Sequence, residues 1–200
     1  SRFILSPRLY GREHEVGSLA QAYARIEQGG AVEAVMVRGY SGIGKSSIIN
    51  EVHKGMTHHE SGDKKGYFIT WKFDQLCKST ASVVLAFGDL IEQLLSEGQE
   101  TVNWWAERIR EAVGANGQLL VELLPELQVV IGPQAPVAEL GPGEAQNRFN
   151  RTFQQFVRVF CGGNSPSLGP LVMFVDDLQW ADVASLKLLE LIASDNEQSH

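Results

Sequence analysis

The nine residues GYSGIGKSS, positions 39 to 47, constrain this 200-residue chain more than any other stretch. From Gly39 to Ser46 they fit the pattern G-x-x-x-x-G-K-[ST]. A short apolar run, AVMVRG, precedes them, and SSIINEV, which reads as a helix, follows. A strand that turns through glycines into a helix N-terminus is the setting in which this pattern cradles phosphate. Gly39, Gly42 and Gly44 are expected to let the backbone adopt positive φ and come close to an anion. Backbone N–H groups through Ile43, Gly44, Lys45, Ser46 and Ser47 then converge, reinforced by the positive end of the helix dipole. Lys45 is placed to reach the β- and γ-phosphates of a nucleotide, and Ser46 to ligate Mg2+. A Gly-rich turn that matches by chance is the alternative, and the strand-to-helix setting speaks against it.

A phosphate loop of this kind needs an acidic partner for the metal, and PLVMFVDDLQWAD, residues 170 to 182, offers one. Leu171 to Val175 read as a strand buried on both faces. Asp176 and Asp177 stand at its C-terminal end, where open α/β sheets bind ligands. Asp176 takes the place of a Walker B aspartate near Mg2+, and Asp177 is placed to orient or deprotonate an attacking water. The alternative is that the two carboxylates cap the helix after Trp180.

Periodicity supplies the remaining elements. A helix is expected from Arg12 to Gln28, with Val16, Leu19, Ala20, Tyr23 and Ile26 at helical spacing and Gly29-Gly30 as its stop. Ala34 to Arg38 reads as a buried strand, Gly39 to Gly44 as a loop, and Lys45 to about His58 as a second helix. GYFITWKFD reads as a second strand. A helical insert, about 79 to 161, then separates that strand from the acidic one. Within it Pro125 should split the apolar run GQLLVELLPELQVVIG. GPQAPVAELGPG is a loop. Phe149, Phe153, Phe156, Val157 and Phe160 form one stripe of a further helix. ADVASLKLLELIA is the last helix. This order predicts an α/β fold, a largely parallel sheet with helices on both faces.

Composition excludes several classes. Net charge is −7 and the 17 basic residues are scattered, so a nucleic-acid surface, which needs clustered Lys and Arg, is not expected. No apolar run approaches the roughly 18 residues that span a bilayer. Cys77 and Cys161 lie far apart without metal-ligand spacing and read as thiols of a reducing compartment, so a cytoplasmic location is expected.

LYGRE at 9 to 13, GYSGIGKS, KFDQ at 72 to 75 and VDDLQWAD at 175 to 182 together resemble one family. It is the AAA-type, origin-recognition-like P-loop ATPase domain of the STAND class, the signal-transduction ATPases with numerous domains. The insert from Gly114 to Phe160 is similar to the version found in large bacterial signalling proteins that join a Ser/Thr kinase, this ATPase, a helical-repeat region, a GAF domain and a histidine kinase. The resemblance implies a P-loop NTPase three-layer sandwich that binds ATP with Mg2+ and hydrolyses it slowly. A nucleotide-binding interaction module without turnover is the rival. The preference for ATP over GTP rests on the resemblance. It places Tyr10, Gly11 and Arg12 beside the adenine; a plain helix start is the other reading of that segment. It also implies kinase and histidine-kinase domains in the same polypeptide, and is compatible with an oligomer. Members carry a further strand with a polar sensor residue between the P-loop strand and the Walker B strand, then a lid. Neither is found by His200, so the sheet is expected to lack a central strand and to show unpaired edges.

Smaller signals have plainer readings. His53, His58 and His59 lack metal-ligand spacing and are expected to face solvent at a helix end. Asp74 and Gln75 end the second strand, as a turn or near the γ-phosphate. Arg148, Arg151 and Arg158 read as a solvated face, with Glu144 able to pair with Arg148; an arginine that acts as a sensor or reaches a neighbouring subunit is the alternative. Trp180 is expected to pack its loop down, and Trp104-Trp105 to belong to the core.

Overall fold

In the computed structural model, which describes residues 11–28, 33–40, 42–57, 65–74, 79–161 and 168–193, the alternation in GYFITWKFD becomes strand β1 (Lys65–Lys72). Successive side chains leave a strand on opposite faces. Tyr67, Ile69 and Trp71 are sealed on one face, while Phe68 on the other is half-buried and Thr70 is exposed. β1 pairs in parallel with β2 (Leu168–Asp176), register Phe68↔Val172 through Lys72↔Asp176. Two parallel strands need a long crossover. Here the crossover is the helical insert.

The insert packs onto the sealed face. Its helices are α3 (Ser79–Leu95), α4 (Gln99–Val113), α5 (Gly117–Leu123), α6 (Leu127–Ile131) and α7 (Pro142–Cys161). Pro125 lies between α5 and α6, as its missing N–H and ring clash require. The phenylalanine stripe of α7 enters the core, and Phe87 of α3 meets Phe153 edge-on with ring centroids 5.0 Å apart. Trp105 is buried and Trp104 half-buried beside it. Two buried indoles find acceptors: Trp105 Nε1 donates to Tyr67 Oη at 3.0 Å and Trp71 Nε1 to Ser82 Oγ at 2.9 Å. A buried donor without an acceptor would cost about 1–3 kcal/mol.

The opposite face of β1 receives α2 (Lys45–Thr57), where His53 stacks on Phe68 at 4.1 Å. This corrects the reading of His53 as a solvent-facing histidine, because the ring spans the joint between helix and sheet. His58 and His59 lie outside the described residues. Helix α1 (Glu13–Glu27) packs against α2 and β2, and α8 (Val183–Ala193) packs against α7. Helices thus cover both faces of a parallel sheet, an α/β arrangement.

The two sheet edges are finished differently. On the outer edge of β1, the Gln93 amide of α3 accepts from Phe68 N at 3.3 Å and donates to Phe68 O at 2.7 Å, standing in for a missing strand. Among the described residues nothing pairs with the other edge of β2. Residues 33–40 join no ladder, which corrects the expected strand at Ala34 to Arg38. Val35 and Met36 are 51% and 68% exposed, as befits a segment with no described strand beside it. For the same reason Leu171 to Val175 are half-buried, not sealed on both faces.

Candidate functional site

The phosphate loop is built by two glycines and one close approach. Gly42 and Gly44 adopt φ of 78° and 92°, a region costly for any residue with a Cβ. Gly39 does not share the positive φ expected of it. Its requirement is space, since a Cβ there would meet Ile43 Cγ2 at 3.0 Å. The turn delivers the chain into α2 at Lys45, and Ser47 N and Ile48 N begin the helix by donating to Gly44 O. Ser46 and Ser47 are exposed on the first turn. Lys45 Nζ folds back on its own loop, donating to Gly39 O at 2.9 Å and Tyr40 O at 3.0 Å.

Arg12, just before α1, reaches the same loop. Its guanidinium donates to Ile43 O at 3.3 Å and pairs with Glu15 at 2.8 Å. That arginine holds the Glu15 carboxyl below its usual range. Gly11 has φ of 72°, and its N–H donates to Glu13. The GRE part of LYGRE is therefore joined to the phosphate loop across 31 residues of chain, which a plain helix start would not require. Tyr10 lies outside the described residues.

The acidic edge is organised by β2 and the turn that ends it. Asp176 Oδ1 accepts from Asp177 N at 3.0 Å. Asp177 has φ of 56° and is the one non-glycine residue in the left-handed region among those described. Such an outlier is sustained only where its surroundings fix it. Gln179 Nε2 donates to Asp177 Oδ1 at 3.0 Å, and Lys72 Nζ from the end of β1 stands 3.9 Å from Asp177 Oδ2.

The helix-cap alternative for these carboxylates is settled by Asp182. Its Oδ1 accepts from Ser185 N at 2.8 Å, the N-cap of α8. Asp176 and Asp177 make no such bond to that helix. The same observation gives Asp182 a role that its place in the sequence motif did not reveal. Trp180 does not pack its loop down: it is 47% exposed, beside exposed Leu178. Asp74 is exposed just past β1, and Gln75 lies outside the described residues. Lys72 was missed by sequence reasoning as a neighbour of Asp177. Its signal was there in the parallel order, which sets the ends of β1 and β2 side by side.

Chemically the candidate residues are a cationic, N–H-rich loop at the start of α2 and two carboxylates at the end of β2. Among the described residues no hydrogen bond or ion pair joins the loop to Asp176 or Asp177. No three His, Cys, Asp or Glu side chains converge as a metal cluster among them either. A divalent cation here would draw on the Ser46 hydroxyl, one carboxylate and ligand oxygens, a donor set that suits Mg2+.

Among known proteins, the chain is 34% identical over 197 residues, 98% of its length, to hybrid signal transduction histidine kinase G of Dictyostelium discoideum. It spans about 5% of that protein. No solved structure matches it. No helix among the described residues is long and apolar enough to cross a membrane. The family described as the AAA ATPase domain matches residues 8–200, and the chain belongs to it.

Proposed function

We propose that residues 1–200 form one P-loop ATPase domain of the STAND class, with its insert at about 79–161, acting as a nucleotide-operated switch in a signalling polypeptide. The observation that carries this reading is the state of Lys45. Its ammonium sits at the N-terminus of α2 and, among the described residues, bonds two carbonyls of its own loop and no carboxylate. Phosphate oxygens offer that ammonium charge-assisted bonds, which are roughly twice as strong as neutral ones.

In this reading the amides of Gly42, Ile43, Gly44, Lys45, Ser46 and Ser47 bind the phosphates, with Gly39 allowing the close turn. Lys45 exchanges its carbonyl partners for β- and γ-phosphate oxygens. Ser46 and Asp176 would hold Mg2+, which supplies charge neutralisation on those oxygens. Asp177 orients the attacking water and takes its proton. Tyr10, Gly11 and Arg12 lie beside the adenine, and the bond from Arg12 to Ile43 O couples that segment to the loop. ATP is the nucleotide, and turnover is slow. The description of the Dictyostelium relative as a hybrid histidine kinase supports a histidine-kinase domain as a partner within the same polypeptide; a further kinase domain and a cytoplasmic location belong to the same reading.

A second reading, a nucleotide-binding interaction module without turnover, has its own support. Leu178, Trp180, Val183 and Leu186 put exposed apolar surface directly after the acidic pair, and such patches mark contact sites.

The test is an equilibrium titration of the protein with a fluorescent ATP analogue and Mg2+, beside Lys45→Ala. Saturable binding that the variant loses is the expected outcome. A folded wild-type chain that binds nothing would sink the proposal. Phosphate release then separates the readings: turnover that Asp177→Asn abolishes while binding persists identifies an ATPase, and binding without any turnover identifies the interaction module.

A further inference from the structure

Away from the phosphate loop, α7 and the corner joining α4 to α5 enclose a cleft of about 500 Å3. Volumes of 300–1,000 Å3 are usual for small-molecule sites. No Asp or Glu lines this cleft, although the chain as a whole carries a net charge of −7. Two guanidinium groups do line it, Arg148 and Arg151.

Among the described residues neither arginine has a carboxylate partner. One Arg148 nitrogen donates to Ala138 O at 2.8 Å, while its Nε is buried with no acceptor. The Glu144–Arg148 pair expected from their spacing does not form, because the guanidinium turns to the loop carbonyl. Arg148 is also half-buried, which corrects its reading as part of a solvated face. Arg151 is exposed and makes no ion pair. Asn116, Asn147 and Gln155 add side-chain amides to the lining, and among the described residues none of them makes a side-chain hydrogen bond. The Arg148 Nε is sealed from solvent and does not open onto the cleft, so what marks the cleft is two guanidinium groups and three amides lining it with no carboxylate among them.

We propose that this cleft is a second ligand site and takes a small organic anion carrying two or more carboxylate or phosphate groups. Planar guanidinium forks match both kinds of oxyanion with paired N–H donors. The amides accept from the hydroxyls such ligands carry and donate to their remaining oxygens. The argument does not rest on the nucleotide reading, because none of these residues belongs to the phosphate loop or the acidic edge. The competing role for the two arginines is structural: they sit near the C-terminal end of α4, whose carbonyls favour positive charge.

Calorimetric titration of citrate, and separately of inorganic phosphate, into the Lys45→Ala protein decides between them, since that background keeps the phosphate loop from taking the anion. One saturable site with a dissociation constant below about 1 mM for either anion is expected, weakened about tenfold or more by Arg151→Gln and by Arg148→Gln. Citrate alone binding assigns carboxylates, and phosphate alone assigns phosphates. Arg151 is exposed and makes no internal bond, so its variant folds even where Arg148→Gln does not. No saturable heat from either anion up to about 10 mM, or an affinity that Arg151→Gln leaves unchanged, overturns the proposal and leaves the arginines as partners of the helix end.

Discussion

The helical insert and the nucleotide edge are built to different standards. In the insert, Phe87, Leu90, Leu94, Ile109, Leu120, Phe153 and Phe156 are sealed from solvent, and together with β1 they form one continuous core. Along the nucleotide edge Ala34, Val35 and Met36 are exposed, Val37 and β2 are half-buried, and Val183 on α8 is 83% exposed. One outer edge of the sheet is closed by Gln93, and the other has no described partner. Burial contributes about 25 cal/mol per Å2 of apolar surface, so most of the packing energy sits in the insert. The residues proposed to carry the chemistry sit in turns that pack little. Stability and function can therefore be perturbed separately.

The largest effect should come from the insert. Phe153→Ala removes a fully buried ring that touches Phe87, Phe149 and Phe156. It should cost about 3–5 kcal/mol in urea unfolding. A loss under about 1 kcal/mol would mean the core tolerates a cavity there, and the contrast between regions would fail.

A second test uses pH at the joint between insert and sheet. Burial pushes the Tyr67 hydroxyl up to about 12. The unfolded chain releases that proton near pH 10, so between about 10 and 12 the folded state holds the extra proton. Stability is then fully present below pH 10 and falls as pH rises, by about 2–3 kcal/mol for this group. Tyr67→Phe should flatten that alkaline fall. It should also cost about 1–3 kcal/mol at neutral pH, because Trp105 Nε1 loses its acceptor. An alkaline limb identical in wild type and variant would show that Tyr67 is not the group responsible.

The same contrast explains what the sequence made legible. The insert could be read because its signals are dense and local: Pro125 breaks a run, Phe149 to Phe160 keep helical period, and β1 alternates. The phosphate loop could be read because backbone geometry dictates its glycines, although Gly39 proved to be a matter of space and not of φ. Strand formation at 34 to 38 was misjudged because a strand is a property of its neighbours, and an apolar run carries no record of them. Trp180 was assigned to packing for the same reason: area predicts burial only where something covers it. The division of labour between Asp176-Asp177 and Asp182 was invisible, since three carboxylates within seven residues have equal claims as caps until the helix start is located.

The cap itself gives a smaller prediction. Asp182→Ala removes one side-chain acceptor from the first turn of α8. It should cost about 1 kcal/mol by thermal unfolding and leave nucleotide affinity alone. Asp176→Asn should do the reverse, weakening Mg2+-dependent affinity with little change in stability. If Asp182→Ala reduced affinity as strongly as Asp176→Asn, the separation of the three carboxylates into one cap and two site residues would be wrong.

The smallest effect is the sharpest check on the comparison, because it sets two apolar-to-polar changes against each other. Met36 is exposed in a segment outside any ladder, and Ile69 is sealed in the middle of β1. Met36→Gln transfers little apolar surface and strands no polar group, so urea unfolding should move by less than about 0.5 kcal/mol. Ile69→Gln buries an amide with nothing to bond to, and should cost about 1–3 kcal/mol. Should Met36→Gln cost 2 kcal/mol or more, residues 33–40 would contribute to the core in solution. The nucleotide edge would then be packed to the same standard as the insert, and substitutions at the phosphate loop would have to be read as changes in stability before they are read as changes in binding.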